Sequence, residues 1–130
     1  MKFVIITHVV HKKIGNTCYA YGPYIREMNI WLKYAGNLIL IAPVDQYSSP
    51  EANELPYATH SLELLRIPQF EITRFSSILR TLLYLPLVIT QIVRGIRSAD
   101  HIHIRCPGNV GLIGCLVQIF FPRKRKTAKY

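Results

Sequence analysis

Apolar positions in this chain fall into short unbroken runs separated by polar, turn-rich stretches, with two longer apolar segments in the second half. Phe3 to Ile6 form a run rich in β-branched residues, which predicts a strand buried on both faces and therefore central. The basic stretch HVVHKKIGNTCYAYG then reads as a loop, and Gly22-Pro23 starts a helix, since proline is tolerated in a first turn. Ile25, Met28, Trp31, Leu32 and Ala35 recur at helical spacing until Gly36-Asn37 supplies the stop. Leu38 to Ala42 predict a second strand ended by Pro43. Residues 43–60, with three prolines, predict a long surface loop, and Leu62 to Ile67 a third strand stopped by Pro68.

A long helix is predicted over 76–97, capped by Ser76 or Ser77. Ile78, Leu79, Leu82, Leu83, Ile89, Val93 and Ile96 are its apolar positions, and Arg80, Tyr84, Gln91 and Arg94 form a wetter stripe. Pro86 in its interior should kink it. Asp100 to Arg105 give a fourth strand, Pro107-Gly108-Asn109 a loop, Val110 to Phe121 an apolar helix ended by Pro122, and KTAKY the start of another strand. This alternation predicts a Rossmann-like, three-layer α/β/α fold with a mostly parallel sheet and right-handed crossovers. No segment repeats at a fixed period.

At 130 residues the chain is expected to form one domain over 1–130, and its net charge of +9 favours anionic partners such as phosphates, nucleotides, nucleic acid or acidic lipid. The last eight residues, RKRKTAKY, hold five of the sixteen basic side chains. Cys18, Cys106 and Cys115 are odd in number and lack paired C-x-x-C spacing, which reads as reduced thiols in a cytoplasmic protein. The opening MKFVIIT is too short for a signal peptide. Segments 81–93 and 110–121 fall short of the ~18 consecutive apolar residues of a membrane span, so none is expected to cross a bilayer.

Two segments carry candidate chemistry. Gly15, Asn16 and Thr17, flanked by His8, His11, Lys12 and Lys13, do not form a G-x-G-x-x-G fingerprint. They could still hold an anion through backbone approach at Gly15, lysine charge and nearby helix N–H groups; a solvated basic loop is the alternative. His8 and His11 lack a carboxylate or cysteine at matching spacing, so no metal site is expected. His101 and His103 alternate on one strand face and should pack against a helix, and no serine or cysteine lies in a nucleophile elbow. Arg105 stands at the carboxyl end of a predicted parallel strand, immediately before the Pro107-Gly108-Asn109 break. Its fork of donors could clamp a phosphate or a sugar hydroxyl, or pair with Asp100 or Glu27. Open α/β sheets bind ligands in crevices at such strand ends.

With these residues in place, "KFVIITHVVHKKIGNTCYAYGPYIREMNIWLKYAG", "NLILIAPV" and "ADHIHIRCPGNVGLIGCLV" resemble, in order and spacing, the amino-terminal lobe of GT-B glycosyltransferases. The likeness is to the large retaining class (glycosyltransferase group 1, family 4 type) that includes bacterial cell-envelope sugar transferases, and it runs over essentially the whole chain. It implies a lobe that holds the acceptor, while a carboxyl-terminal lobe holds the donor nucleotide and transfer occurs in the cleft between them. By that likeness Arg105 takes the place where many relatives carry a catalytically important histidine. Arginine cannot serve as a general base at neutral pH, but it can orient a hydroxyl or stabilise charge developing on a leaving phosphate. The expected substrate-binding residues are Lys13, Gly15, Asn16, Thr17, Pro107, Gly108 and Asn109.

The Glu-rich donor motif of such enzymes is missing from these 130 residues, so the chain is expected to be a truncated amino-terminal half, inactive alone, whose partner is the absent lobe. A nucleotide sugar would be co-substrate of the whole enzyme rather than a cofactor of this lobe. The acceptor would be a polysaccharide or a lipid-linked sugar, and the location cytoplasmic, peripheral on the anionic inner face of a membrane. The alternative is a basic anion- or nucleic-acid-binding α/β module without catalysis. Against nucleic acid, the tyrosines do not interleave with Lys and Arg on one strand face as a stacking platform requires.

Overall fold

Phe3, Val4, Ile5 and Ile6 are at most 1 % exposed, because the first strand, β1 (Lys2–Ile6), is paired along both edges and covered on both faces. The computed structural model describes residues 1–46, 49–70 and 75–130. After β1 come β2 (His11–Ile14), β3 (Thr17–Tyr21), α1 (Gly22–Leu32), β4 (Asn37–Asp45), β5 (Glu54–Pro56) and β6 (Leu62–Ile67). The second half consists of α2 (Phe75–Ser98), β7 (His101–Arg105), α3 (Asn109–Val117), a 3-10 turn (Gln118–Phe120) and β8 (Arg125–Lys129).

Five strands lie in the order β6-β4-β1-β7-β8, and every neighbouring pair is parallel. Successive connections build outward from β1 to β4 and β6, then α2 carries the chain back to β7 on the other side. The direction of winding therefore reverses between β1 and β7. Beyond β1, the far end of β4 pairs with β2 through His11↔Val44 and Lys12↔Asp45, and β3 and β5 continue antiparallel from there. The result is an α/β protein whose described residues form a mixed sheet of eight strands.

Strand alternation sends consecutive residues to opposite layers. Val4, Ile6, Ile39, Ile41, Ile102 and Ile104 pack with Val88, Ile92 and Ile96 of α2 and Val110 and Val117 of α3. Phe3, Ile5, Leu38 and Leu40 pack with Tyr24, Ile25, Met28 and Leu32 of α1. Cys18 and Ala20 of β3 join this second layer, so the β2–β3 hairpin covers part of the same sheet face as α1.

Several sequence expectations are corrected. The stretch after β1 is not a plain loop, because β2 and β3 form a hairpin whose turn is Gly15-Asn16. Gly15 has φ +59°, and among the described residues no non-glycine residue has positive φ, a pattern that suits glycine at the first central position of a two-residue turn. Pro43 does not end β4, which runs on to Asp45. It lies where β4 passes from pairing with β1, last at Ile41, to pairing with β2, first at Val44, a break in which a missing N–H is tolerated.

The loop predicted over 43–60 contains β5, and the last long helix stops at Val117, with the chain tightening into 3-10 geometry before Phe121. α2 begins at Phe75, so Ser76 and Ser77 fall inside it rather than before it, and the four positions before it lie outside the described residues. The helix passes through Pro86, whose carbonyl accepts the Thr90 hydroxyl at 2.7 Å. By length and composition alone, Ser77–Ser98 is apolar enough to cross a membrane, although its apolar residues are not consecutive. Val88, Ile92 and Ile96, in its second half, are core residues.

Ile5→Ala should lower stability by about 2–5 kcal/mol, because a packed core cannot close the space left behind. Leu79→Ala, on the exposed side of α2, should change it by less than about 0.5 kcal/mol. Urea midpoints of the two variants check the contrast.

Candidate functional site

The reversal between β1 and β7 opens a crevice at the carboxyl ends of the strands, where open α/β sheets place ligands. A cleft of about 210 Å³ there is lined by His8, Gln69, Phe70, Gly108, Asn109 and Val110. Three strand ends contribute to it: β1 leads into His8, β6 into Gln69 and Phe70, and β7 into Gly108 and Asn109. The Asn109 amide nitrogen donates to the Phe70 carbonyl at 3.4 Å and ties two of these loops together.

Two glycines set how closely the parts approach. A Cβ on Gly108 would lie 2.6 Å from His8 Nδ1, so the imidazole rests directly on the Gly108 backbone. A Cβ on Gly111 would lie 2.5 Å from the Arg105 carbonyl oxygen, so the first turn of α3 is seated against the end of β7. Gly108 caps α3 without a side-chain hydrogen bond, so the cap residue supplies no side-chain acceptor to the first-turn N–H groups at this edge. The Cys106–Pro107 peptide is cis, and the thiols of Cys106 and Cys115 lie 3.9 Å apart.

The exit from β1 is anchored from beneath. Val9 N–H donates to Thr7 Oγ1 at 3.1 Å, and buried His11 holds the Val9 carbonyl with Nδ1 at 2.7 Å. Burial lowers the His11 pKa to about 4, outweighing the Val9 carbonyl bond that raises it. The ring is therefore neutral near pH 7, with its proton on Nδ1, and Nε2 can only accept. Tyr57 Oη, 2.8 Å from Nε2 and 3.0 Å from Tyr24 Oη, then donates to His11 and accepts from Tyr24. Thr7 also hydrogen-bonds Tyr24, which closes the circuit, and burial pushes the Tyr24 pKa up to about 12. With residues 7, 9 and 11 held in this way, His8 is the exposed member of the turn.

Arg105 faces the α1 layer. Its Nη1 is 3.5 Å from Glu27 Oε2, and its guanidinium lies over the Tyr24 ring at 4.8 Å from the centroid. Lys129 Nζ takes the other Glu27 oxygen at 2.7 Å, so one carboxylate bridges two cations. The buried Arg105 Nη1 has no hydrogen bond among the described residues. Asp100, the other partner considered for Arg105, lies at the opposite end of β7 and accepts the Lys2 N–H at 2.8 Å. His101 and His103 pack on Phe3 and Trp31 and share the Thr127 hydroxyl, at 3.0 and 2.8 Å. Burial lowers the His103 pKa to about 4.

The hairpin half of the expected site lies elsewhere. Lys13 and Asn16 line a separate cleft of about 280 Å³ with Cys18, Thr59, His60 and Leu62. Gly15 and Thr17 belong to the same hairpin turn, and β3 separates it from the first N–H groups of α1 by about 17 Å of strand. The expected helix donors are therefore not beside Gly15. Nor is the Lys12 charge available as supposed, because its ammonium bridges Glu51 at 2.8 Å and Glu54 at 3.1 Å. Gly108 and Asn109 line the cleft, exposed Pro107 precedes them, and Arg105 lies at the same strand end facing the other layer.

No protein-family model, curated protein or solved structure matches this chain. What the site can do follows from its own groups: an exposed imidazole, an amide side chain, uncapped helix N–H groups and a nearby pair of cations. From sequence, His8 counted as a flank of the glycine loop and as half of a rejected metal pair, and Gln69 and Phe70 carried no expectation. The signal for His8 was its place two residues beyond the most apolar strand, and for Gln69 its place just after Pro68.

His11 and His103 both have folded pKa values below the ordinary 6.5, so between about pH 6.5 and 4 the unfolded chain binds more protons than the folded one. Their contribution is complete above pH 6.5 and is lost towards pH 4, at about 3 kcal/mol for each ring. A urea series across this window should show midpoints falling with pH. In the double variant His11→Gln/His103→Gln the decline should be markedly shallower; an equal slope would assign it to other groups.

Proposed function

We propose that this chain is the acceptor-side half of a retaining glycosyltransferase, a Rossmann-like amino-terminal lobe of the GT-B type that works with a separate donor-binding lobe. The observation that carries the reading is the crevice at the winding reversal, where His8, Gly108, Asn109 and the uncapped start of α3 converge from separate strand ends. The strand order β6-β4-β1-β7-β8 follows the 3-2-1-4-5 order of doubly wound nucleotide-binding sheets, in which ligands lie at the winding reversal, and this supports the reading. His8 is the group best placed to hydrogen-bond an acceptor hydroxyl, and the helix N–H groups suit a phosphate of the activated donor. Arg105 and Lys129, sharing one carboxylate, leave a net positive charge beside the crevice. The donor would be a nucleotide sugar, the acceptor a polysaccharide or lipid-linked sugar, and the setting the cytoplasmic face of a membrane.

The test is sugar transfer from radiolabelled nucleotide sugars to a polar-lipid extract, using the protein expressed with any reading frame that continues past Tyr130. Label should pass to the acceptor with its anomeric configuration retained. Residues 1–130 by themselves should transfer none. Gly108→Val and Arg105→Ala should each lower kcat/KM by about ten- to a hundred-fold, because displacement by an ångström at a reacting centre has that effect. Absence of transfer from every donor, together with salt-sensitive oligonucleotide binding, would favour a non-catalytic anion-binding module.

A further inference from the structure

The three cysteines do not share one environment. Cys18 lies on β3 in the layer of α1, where it is 2 % exposed. Cys106 and Cys115 are half-buried on the opposite side of the sheet, packed against the core of α2 and α3. The sheet separates Cys18 from the other two, so the odd count resolves into one pair and a single thiol.

Cys106 and Cys115 stand on either side of the crevice loop. The Cys106 N–H donates to the Lys129 carbonyl at 2.7 Å, which holds it at the end of the β7–β8 ladder. Cys115 lies in α3, one turn past Gly111 on the same helix face. A Cβ on Gly111 would lie 3.3 Å from Cys106 Sγ, so the absent side chain leaves the sulfur room on that face, and it meets Cys115 Sγ at 3.9 Å. A disulfide needs a separation of about 2 Å, so each sulfur has to move by roughly 1 Å to form one.

Burial and the contact with Cys106 push the Cys115 thiol up, so it keeps its proton and suits the part of the second, resolving thiol. Paired thiols also hold metals. Among the described residues, however, no three His, Cys, Asp or Glu side chains stand together, so a tetrahedral ion would find two ligands here.

The geometry points to Cys106 and Cys115 as a dithiol that a peroxide oxidises to an intramolecular disulfide, fastening the crevice loop to α3. The Cys106 thiolate attacks one peroxide oxygen, the O–O bond breaks, and the departing hydroxide takes up the thiol proton as water. The Cys115 sulfur then attacks the sulfenic sulfur of Cys106, the S–O bond breaks as the S–S bond forms, and a second water leaves with the Cys115 proton. Two thiols and one peroxide become one disulfide and two waters, the protein giving up two electrons.

The link would close a ring over Pro107, Gly108 and Asn109, the segment on which His8 rests and from which Asn109 reaches the Phe70 carbonyl. In the reduced protein the Leu112 N–H, donating to the Gly108 carbonyl at 2.9 Å, ties this segment to the helix. Oxidation adds a covalent tie and places no new group in the crevice, whatever the crevice binds.

The test is exposure of the reduced protein to hydrogen peroxide, followed by alkylation, intact mass measurement and tryptic mapping. Free thiols should fall from three to one. Peptide 106–123, which holds both cysteines, should be lighter by two hydrogens and carry no alkyl group, while Cys18 is alkylated in full. Cys115→Ser should stop the reaction at a sulfenic acid on Cys106, trapped by dimedone, and Cys106→Ser should slow oxidation of Cys115 by about ten-fold. Amide exchange at 108–112 should slow when the wild-type protein is oxidised and stay as it is in either variant. The mapping uses the wild-type chain, so it does not depend on the variants folding. Cys18 reacting as fast as the pair, disulfide-linked dimers, or a peptide 106–123 that keeps both alkyl groups would overturn the assignment. Unchanged amide exchange in the oxidised protein would overturn its action on the crevice.

Discussion

The removal of Phe3–Ile6 of β1 from water is the constraint on which the rest of the molecule depends. A strand with both edges paired and both faces covered has no tolerance for slippage, since a shift of one residue would exchange the side chains sent to the two layers. Phe3 and Ile5 are committed to α1, Val4 and Ile6 to α2 and α3. That commitment fixes where the strand stops and therefore where His8 leaves the sheet. It also fixes the partition of the helices, and with it the position of the edge at which three connecting loops meet.

The parts of this fold that could be read from sequence are those whose signal is burial. Phe3–Ile6, Leu38–Ala42, Leu62–Ile67 and Asp100–Arg105 each announce a strand through continuous apolar residues or strict alternation, and each is found with shifts of a few residues at most. The hairpin escaped because β2 is written HKKI: a short strand carrying two lysines, one neutralised by Glu51 and Glu54 from a distant segment, looks like solvated loop. That pairing is a tertiary fact with no local trace. β5, three residues long and ending in Pro56, likewise exists only because β3 offers it an edge.

The candidate site divides along the same line. Gly108 and Asn109 were legible because a strand, a glycine break and a helix follow one another directly, which sets the geometry locally. Gly15 to Thr17 looked equivalent, but they form the turn of a hairpin that keeps them a strand's length from α1, with Asn16 lining a different cleft. The partner of Arg105 could be narrowed to Glu27 or Asp100 from charge alone. Choosing between them required knowing that α1 lies over the carboxyl end of β7 while Asp100 caps its beginning.

The circuit through Thr7, Tyr24, Tyr57 and His11 has an architectural consequence. Each hydroxyl in it donates once and accepts once, so the chain of protons has one direction, fixed by the Val9 carbonyl at its end. Such a ring cannot drift one member at a time, because removing a single oxygen orphans the neighbour on each side inside a dry interior. Variation at positions 24 and 57 is therefore coupled to position 11 even though the three are far apart in sequence. Descendants of this sequence can keep the set or replace it with apolar residues together, and those that replace it must find another means of holding the turn that carries His8.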